Sequence, residues 1–311
     1  MTGCIACASQ GEQFRDYAGY QLLRCANRSC RHVWVSNVPS PQTLHDFYNT
    51  SENHLWNGDP FGMLEDYRAN PDGVRRFFDR DRLRWLMKYL PAQLGTLETK
   101  FLDLGCSSGV FLAALRDIGY RVAGQDIAPE AVERGKRELH LDMKSQPFEE
   151  FTPDAIPDVV TGYNVIEHTP DPLSMVRHVR SWVEPGAAFV LRTPNHASWL
   201  RRATGAAWLW YMPPAHLHYF TPASLTVLLE KGGFQVKALR TDIGTYLFLL
   251  AYYFLPAKGR KSPSTSLSMS RARERWIFGL EKVVRCCASP LLVPAALLQA
   301  NPLIEIYAIA R

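Results

Sequence analysis

The sequence contains no hydrophobic run long enough to span a membrane. Its two apolar stretches near the C-terminus, 246–256 and 290–300, are each shorter than the roughly 20 residues that a spanning helix needs. Residues 1–9 also lack the basic region and apolar stretch of a secretory signal peptide. We therefore expect a cytoplasmic protein that does not cross a bilayer.

Dense runs of one charge are missing as well. The 35 Lys and Arg residues exceed the 30 Asp and Glu residues by only five, giving a pI near 8.8, and the cations are spread along the chain. This balance permits nucleic acid as a partner without indicating it. No Asn-Pro-Pro-aromatic motif of the enzymes that methylate base amines is present.

Cysteine is sparse, with seven residues in 311, but four of them fall within the first 38 residues. They form two short-spaced pairs separated by 17 residues, and the second pair is spaced slightly long: Cys4, Cys7, Cys25 and Cys30. This pattern is typical of two knuckles that bind one tetrahedral zinc ion. Because four thiolates fill the coordination shell, such an ion is structural. The alternatives are reduced thiols in a small core or two disulfides, which a cytosolic location disfavours.

The chain divides by pattern into a zinc ribbon at 1–38, a helical lead-in at 39–98 and a larger domain at 99–311. In that domain short apolar runs alternate with helical periods, which indicates βαβ units. The predicted fold is α/β: a Rossmann-like, seven-stranded, mostly parallel sheet with helices on both faces. A helical insertion, 243–300, precedes the last strand at 304–310. The other predicted strands are 100–104, 121–126, 141–145, 158–163, 187–193 and 234–241.

The strongest local signal is the segment 101–109, a buried strand that turns through small residues into a helix. Its glycines let the backbone approach a ligand closely. Asp103, just before the first of these glycines, suits a cationic amine better than a pyrophosphate, which it would repel. The loop therefore favours an amino-acid-bearing nucleoside such as S-adenosylmethionine over a dinucleotide.

Several ordered motifs extend this signal. The next strand ends in an acid, Asp126, about 17 residues after Gly109, and further blocks lie at 158–168, 171–172, 184–186, 192–195 and 213–221. Over residues 98–242 the sequence resembles the class I S-adenosylmethionine-dependent methyltransferases, in their ubiquinone-biosynthesis-like branch. The rival is a nicotinamide-dependent oxidoreductase, whose fingerprint would place Gly at position 103.

The resemblance implies a set of cofactor-binding residues. Asp126 is expected to accept hydrogen bonds from the ribose hydroxyls, and Phe148 to cover the adenine where many relatives carry an Asp. The complete set is Asp103, Gly105, Cys106, Gly109, Asp126, Ile127, Phe148 and Asn164.

Methyl transfer from a sulfonium is an in-line displacement, so the protein mainly aligns the nucleophile and removes its proton. Three histidines fall where loops meet the carboxyl ends of strands, and each could instead have a packing role: His168, His216 and His218. We expect His218 to be the general base, with His216 as the second candidate.

The expected acceptor is a small-molecule, glycan or lipid-linked compound, because 199–221 is aromatic and 243–300 is apolar and basic. The alternative is a nucleic-acid or protein methyltransferase that uses the ribbon for recognition, since Arg15, Arg24, Arg28 and Arg31 make the ribbon basic. A scaffold role with a degenerate core is disfavoured by the intact loop. For 243–300 we weigh contact with a membrane surface, which would make the protein membrane-peripheral, against packing as a cap. The sequence does not determine the oligomeric state.

Overall fold

A computed structural model describes residues 3–49, 63–243 and 294–311. The chain forms two compact units. The first unit comprises 1–45, 152–242 and 295–311, and the second comprises 46–151 and 243–294. The predicted insertion at 243–300 lies mostly outside the described residues. Within the described ranges no helix is both long enough and apolar enough to cross a membrane.

The described strands, numbered in chain order, are β1 (Gly11–Tyr17), β2 (Tyr20–Cys25), β3 (Val33–Val35), β4 (Lys100–Leu104), β5 (Arg121–Asp126), β6 (Met143–Ser145), β7 (Val159–Tyr163), β8 (Ala188–Pro194), β9 (His218–Tyr219), β10 (Phe234–Asp242) and β11 (Leu303–Ala310). The main helices are α1 (Pro41–Asn49), α2 (Met63–Ala69), α3 (Pro71–Phe78), α4 (Arg84–Tyr89), α5 (Val110–Ile118), α6 (Pro129–Leu139), α7 (Pro172–Trp182), α8 (Trp199–Thr204) and α9 (Pro222–Lys231).

Seven of these strands follow the sheet order β10-β11-β8-β7-β4-β5-β6. The pairs β4–β5, β5–β6 and β7–β8 are parallel, whereas β11 runs antiparallel to both β8 and β10. The predicted seven-stranded, mostly parallel Rossmann-like fold is therefore confirmed. The predicted strands differ from the observed ones by no more than two residues at either end, because their apolar runs are bounded by turn residues.

In the first unit, strand β11 carries a buried acid between two arginines. The carboxylate of Glu305, only 1% exposed, accepts hydrogen bonds from Arg192 of β8 at 3.3 Å and from Arg240 of β10 at 2.8 Å. Both arginines stand opposite Glu305 in the strand registers. Because a buried charge is costly unless it is paired, this arrangement favours one register for the three strands.

The N-terminal cysteine segment forms a second sheet in the first unit, with strand order β1-β2-β3-β9. Strand β9 comes from the chain after residue 213 and pairs antiparallel with β3, placing Trp34 opposite His218. The ribbon predicted at 1–38 therefore takes the fourth strand of its sheet from beyond that predicted boundary. The shared core consists of Leu22, Val33, Val35, Leu44, Trp208, Tyr211, Leu217 and Tyr219.

In the second unit, α5 and α6 follow β4 and β5. Gly135 of α6 is needed for close packing, because a Cβ there would lie 2.6 Å from the carbonyl oxygen of Ser108. Helix α3 packs on α5 through Phe78 and Phe111, whose ring centroids are 5.2 Å apart. A π-helical turn at Asp79–Leu83 joins α3 to α4, where the sequence predicts one amphipathic segment.

Candidate active site

The loop between β4 and α5 has the backbone geometry of a ligand cradle. Three of its five residues have positive φ: Gly105 (62°), Ser107 (51°) and Gly109 (74°). Left-handed backbone geometry is easy for glycine and uncommon for serine, so the surrounding structure must hold Ser107 in this conformation. Gly109 has a packing reason as well, because a Cβ there would lie 2.5 Å from Cδ1 of Leu141.

Asp126, at the end of β5, holds this loop through its carboxylate. Its Oδ2 accepts a hydrogen bond from the backbone N–H of Ser107 at 2.7 Å, and its Oδ1 accepts one from Ala128 at 2.9 Å. Burial raises the pKa of this carboxyl, while the backbone donors oppose the rise. Each oxygen retains a further lone pair, so the carboxylate can also accept hydrogen bonds from a ligand's hydroxyl groups.

Cys106 lies inside the second unit rather than open to solvent. It is 7% exposed, and its Sγ would lie 2.7 Å from a Cβ placed at Gly124 of β5. Burial, together with the charges of Asp126 and Asp103, raises the pKa of its thiol well above the usual value. A neutral, enclosed thiol is a packing group, and its reactivity is low.

The remaining predicted cofactor residues of the second unit follow strands β5 and β6. Ile127 and Phe148 are both half-buried, and Phe148 opens the 3-10 turn Phe148–Glu150. The turn is held to β5 because the Gln125 side chain donates to the carbonyl oxygen of Gln146 at 2.6 Å. An apolar ring is thus presented directly after β6.

In the first unit, Asn164 and Glu167 follow β7. Asn164 has a φ of 61°, and its side chain donates to Oε1 of Glu167 at 3.3 Å. Oε2 of Glu167 accepts a hydrogen bond from the Thr193 hydroxyl at 2.9 Å. Glu167 is 1% exposed, and this burial raises its pKa to about 7. At neutral pH this carboxyl is therefore partly protonated.

His218 does not have a ring nitrogen available for a substrate proton. Its Nε2 lies 3.3 Å from the carbonyl oxygen of Pro170, which can only accept, so Nε2 carries the proton. Its Nδ1 then accepts from Nε2 of His32 at 3.1 Å. Burial lowers the pKa of His218 to about 4. Both ring nitrogens of His218, the predicted general base, are thus engaged by protein groups, and the ring links the ribbon to the loop after β7.

His216 retains an unprotonated ring nitrogen. Its Nδ1 donates to the carbonyl oxygen of Trp210 at 3.0 Å, and its ring stacks on that indole with the centroids 5.6 Å apart. The neutral tautomer consequently leaves the lone pair on Nε2. Burial, followed by the neighbouring His168, lowers the pKa of His216 well below its usual value, so the ring is neutral at pH 7.

His168 lies beside His216, with ring centroids 4.6 Å apart. Its Nδ1 donates to the carbonyl oxygen of Ala215 at 2.8 Å, and burial lowers its pKa to about 4. One ligand-type atom from each of Glu167, His168 and His216 lies within 4.8 Å of the others. The two rings and the buried carboxyl thus form one polar cluster, which we name the histidine cluster.

The four N-terminal cysteines converge on one point. Cys4 and Cys30 have sulfurs 3.7 Å apart, those of Cys7 and Cys25 are 3.3 Å apart, and all four lie within 4.8 Å of one another. Tetrahedral zinc with bonds of about 2.3 Å separates its sulfurs by about 3.8 Å, so the cluster fits that ion. The cysteines are free thiols rather than disulfides.

Comparisons with known proteins bear on the whole constellation. Residues 90–239 match a family model described as a methyltransferase domain. The Ubiquinone biosynthesis O-methyltransferase of Aeromonas salmonicida (strain A449) is 31% identical over 157 residues, covering 46% of this chain and 66% of that protein. The enzyme of the same name from Coxiella burnetii (strain RSA 331 / Henzerling II) is 27% identical over 162 residues, covering 48% of this chain and 69% of that protein.

Residues 90–239 therefore form a methyltransferase domain that is similar to those of S-adenosylmethionine-dependent enzymes. A solved structure of Haemonchus contortus phosphoethanolamine N-methyltransferase 2 in complex with S-adenosyl-L-methionine shares the fold, with a TM-score of 0.53 at 12% identity. It covers 89% of this chain and 61% of that one. The matched part spans about two thirds of the curated relatives' length.

Of the eight predicted cofactor residues, seven lie in the second unit, whereas Asn164 lies in the first. Sequence reasoning missed Glu167 as a buried, protonatable group and His32 as the partner of His218. The pair Glu167-His168 after a buried strand was a visible signal for the first. The contact between His32 and His218 joins residues 186 positions apart, and no local pattern announces it.

Proposed function

We propose that this methyltransferase transfers the methyl group of S-adenosylmethionine to a small-molecule acceptor, with the cofactor held by the loop at 103–109 and by Asp126. The observation that carries the proposal is the carboxylate of Asp126, fixed by the backbone N–H groups of Ser107 and Ala128. A carboxylate fixed in this way is a suitable acceptor for the two hydroxyls of a ribose. Phe148 offers an apolar surface for the base.

S-adenosylmethionine, when bound, supplies a methyl group on a positively charged sulfur. His216 receives the acceptor's proton on Nε2, because hydrogen bonding to Trp210 fixes its tautomer. Glu167 supports the adjacent backbone, since its carbonyl oxygen accepts from the N–H groups of Leu217 and His218 at 2.8 and 3.1 Å. A base correctly placed in this way contributes about 10²- to 10⁴-fold in rate.

The acceptor class is supported by the relatives, which are ubiquinone biosynthesis O-methyltransferases. A hydroxyl acceptor also fits a neutral imidazole as base, because the oxygen must lose a proton during transfer. Glycan and lipid-linked hydroxyls share this chemistry and belong to the same proposal. Cytoplasmic location and contact of 243–300 with a membrane surface stay predictions.

We further propose that Cys4, Cys7, Cys25 and Cys30 bind one structural zinc ion that holds the ribbon against the catalytic region. Three contacts support this role. The Thr221 hydroxyl at the start of α9 donates to the carbonyl oxygen of Cys30 at 2.7 Å. The His32 ring hydrogen-bonds to His218, and the backbone N–H of Val35 donates to the carbonyl oxygen of Leu217 at 2.9 Å.

The test is transfer of tritium from labelled S-adenosylmethionine into fractions of cell extract. We expect label in the small-molecule fraction, resistant to nuclease and protease. His216→Asn should abolish most of the transfer, whereas His140→Asn should not, because His140 is exposed and has a φ of 53° that asparagine tolerates. Label found only in nucleic acid or protein would overturn the proposal in favour of the ribbon-reader alternative.

A further inference from the structure

Five arginines of the first unit lie close enough for their charges to act on His196 or on Arg201, and we call them the arginine cluster: Arg15, Arg24, Arg31, Arg201 and Arg202. Arg15 lies on β1 and Arg201 on α8, yet both guanidinium groups flank the same pair of side chains, His196 and Tyr211. The Arg15 Cζ lies 5.5 Å from the Tyr211 ring centre. The Arg201 Nε donates to the carbonyl oxygen of His196 at 2.8 Å.

The pair between these two arginines is itself fixed. Nε2 of His196 and the hydroxyl of Tyr211 are 2.8 Å apart, and both side chains are buried. Burial, followed by the charges of Arg201, Arg15 and Arg24, lowers the pKa of His196 well below its usual value. His196 is therefore neutral and adds no positive charge to that of the neighbouring arginines.

Two buried donor groups of this region lack acceptors among the described residues. Among the residues that the structure describes, no hydrogen bond or ion pair engages the Arg15 guanidinium, and its Nη1 is buried. The indole Nε1 of Trp208, in edge contact with Tyr211 at 5.0 Å, is likewise buried without a partner. Unsatisfied buried donors are rare in folded proteins, and each one is a candidate contact for an ion or ligand. Both orphaned groups are donors, so the missing partner is an acceptor.

The positive charge is also poorly neutralised. Arg24 approaches Glu12 at 3.9 Å, and both side chains are exposed, which makes a weak pair. Asp16, the other acid of β1, accepts a hydrogen bond from Gln13 at 2.9 Å. Burial, together with the charges of Arg202, Arg15 and Arg31, lowers the pKa of Arg201. Cations that repel one another in this way favour a multiply charged anion.

We propose that the arginine cluster, centred on Arg15 and Arg201 beside Tyr211, binds a phosphate or diphosphate group. The guanidinium group matches phosphate geometry bidentately, and the planar rings of Phe14 and Tyr211 support the Arg15 side chain by cation–π contact. A phosphate with three or more acceptor oxygens can satisfy several donors at once, which a carboxylate does less completely.

This inference rests on the proposed function in one respect: the phosphate is taken to belong to the methyl acceptor. The acceptor class then becomes a phosphorylated small molecule, either a soluble nucleotide-linked compound or a lipid phosphate. Nucleic acid is disfavoured, because its affinity comes from cations spaced along a backbone, whereas here the two half-buried arginines share one His–Tyr pair.

Calorimetric titration of pyrophosphate into the full-length chain tests the site without any acceptor. The double variant Arg15→Gln with Arg201→Gln should bind pyrophosphate about tenfold or more weakly than the unaltered chain. The matched control is Arg28→Gln with Arg177→Gln, which removes the same charge from two exposed arginines of the same unit that form no ion pair with the described residues. The control should bind within about twofold of the unaltered chain.

A second double variant, Arg15→Lys with Arg201→Lys, keeps the positive charge and should retain part of the affinity for pyrophosphate. This variant tests the site even if the Gln variant does not fold correctly. Titration of S-adenosylmethionine into the unaltered chain and the same variants separates the two proposals. If the unaltered chain binds pyrophosphate but not S-adenosylmethionine, the proposed function is refuted and the phosphate site is not. Comparison of a nucleoside diphosphate with dodecyl phosphate distinguishes the two sources. The inference is overturned if pyrophosphate does not bind to the unaltered chain, or if the site variant and the control variant lose the same affinity for pyrophosphate. It is also overturned if only oligonucleotides bind.

Discussion

Replacing Asp126 with alanine removes a carboxylate that links the cofactor loop to the end of β5. The structure gives each carboxylate oxygen one backbone donor, Ser107 at 2.7 Å and Ala128 at 2.9 Å. One lone pair per oxygen then remains for the ribose hydroxyls. A hydrogen bond to a charged acceptor contributes about 1.5–3 kcal/mol, so the dissociation constant for S-adenosylmethionine should rise about 10- to 100-fold.

Isothermal titration calorimetry of the cofactor measures this change directly. Asp142→Ala is the control, because Asp142 is an exposed acid of the same unit and the substitution removes the same charge. Asp126→Asn keeps an acceptor oxygen without the charge, and its affinity should fall between those of the unaltered chain and the alanine variant. Unchanged affinity in a folded Asp126→Ala protein would refute the assignment of the ribose site.

Three further predictions concern the first unit. Metal analysis should find about one zinc per chain, and the Cys4→Ser variant should lose it. This variant should also have a lower melting temperature, because the ribbon strand β3 pairs with β9. An unchanged melting temperature would contradict the proposed structural role of the ion. The pKa of Glu167 is raised from 4.5 to about 7 by burial. The contribution of this group to the free energy of unfolding should therefore fall by up to about 3 kcal/mol as pH rises across that window, and Glu167→Gln should remove this slope in pH-dependent denaturation. His216→Gln should lower kcat about 10²-fold or more while His218→Gln mainly lowers stability; the reverse pattern in steady-state kinetics contradicts the choice of base.

The sequence predicts the sheet well because its signals are local. The runs at 100–104 and 121–126 are apolar, bounded by turn residues and separated by helical periods, so strand type and order follow from pattern alone. The loop at 105–109 is equally local, since its small residues and the following helix share one short segment. Gly109 shows a limit: its packing against Leu141 depends on a residue 32 positions away.

The sequence does not reveal that the ribbon shares its sheet with the chain after residue 213, and the reason is physical. In the sequence, the four cysteines and a hairpin suggest a complete structural unit. A three-stranded sheet of this size, however, has an unpaired edge strand and an uncovered apolar face. Strand β9 covers the edge, and Trp208 and Tyr211 complete the core. A two-residue strand such as His218–Tyr219 carries too little periodicity to be predicted.

The sequence alone does not distinguish His216 from His218 as the general base, because sequence position does not reveal hydrogen-bond partners. His216 and His218 are two residues apart, and both follow the same aromatic loop. Only the folded chain shows that Pro170 and His32 occupy both ring nitrogens of one, while the other keeps a lone pair. Two chemically identical side chains thus differ in role through contacts made with distant segments.

The most direct test of the account is which cofactor the loop at 103–109 selects. Equilibrium dialysis of the full-length chain against labelled S-adenosylmethionine and, separately, labelled NAD compares a cationic amino acid with a pyrophosphate at the same loop. The account predicts one S-adenosylmethionine bound per chain, displaced by S-adenosylhomocysteine, and no saturable binding of NAD. Saturable binding of NAD without binding of S-adenosylmethionine would contradict it.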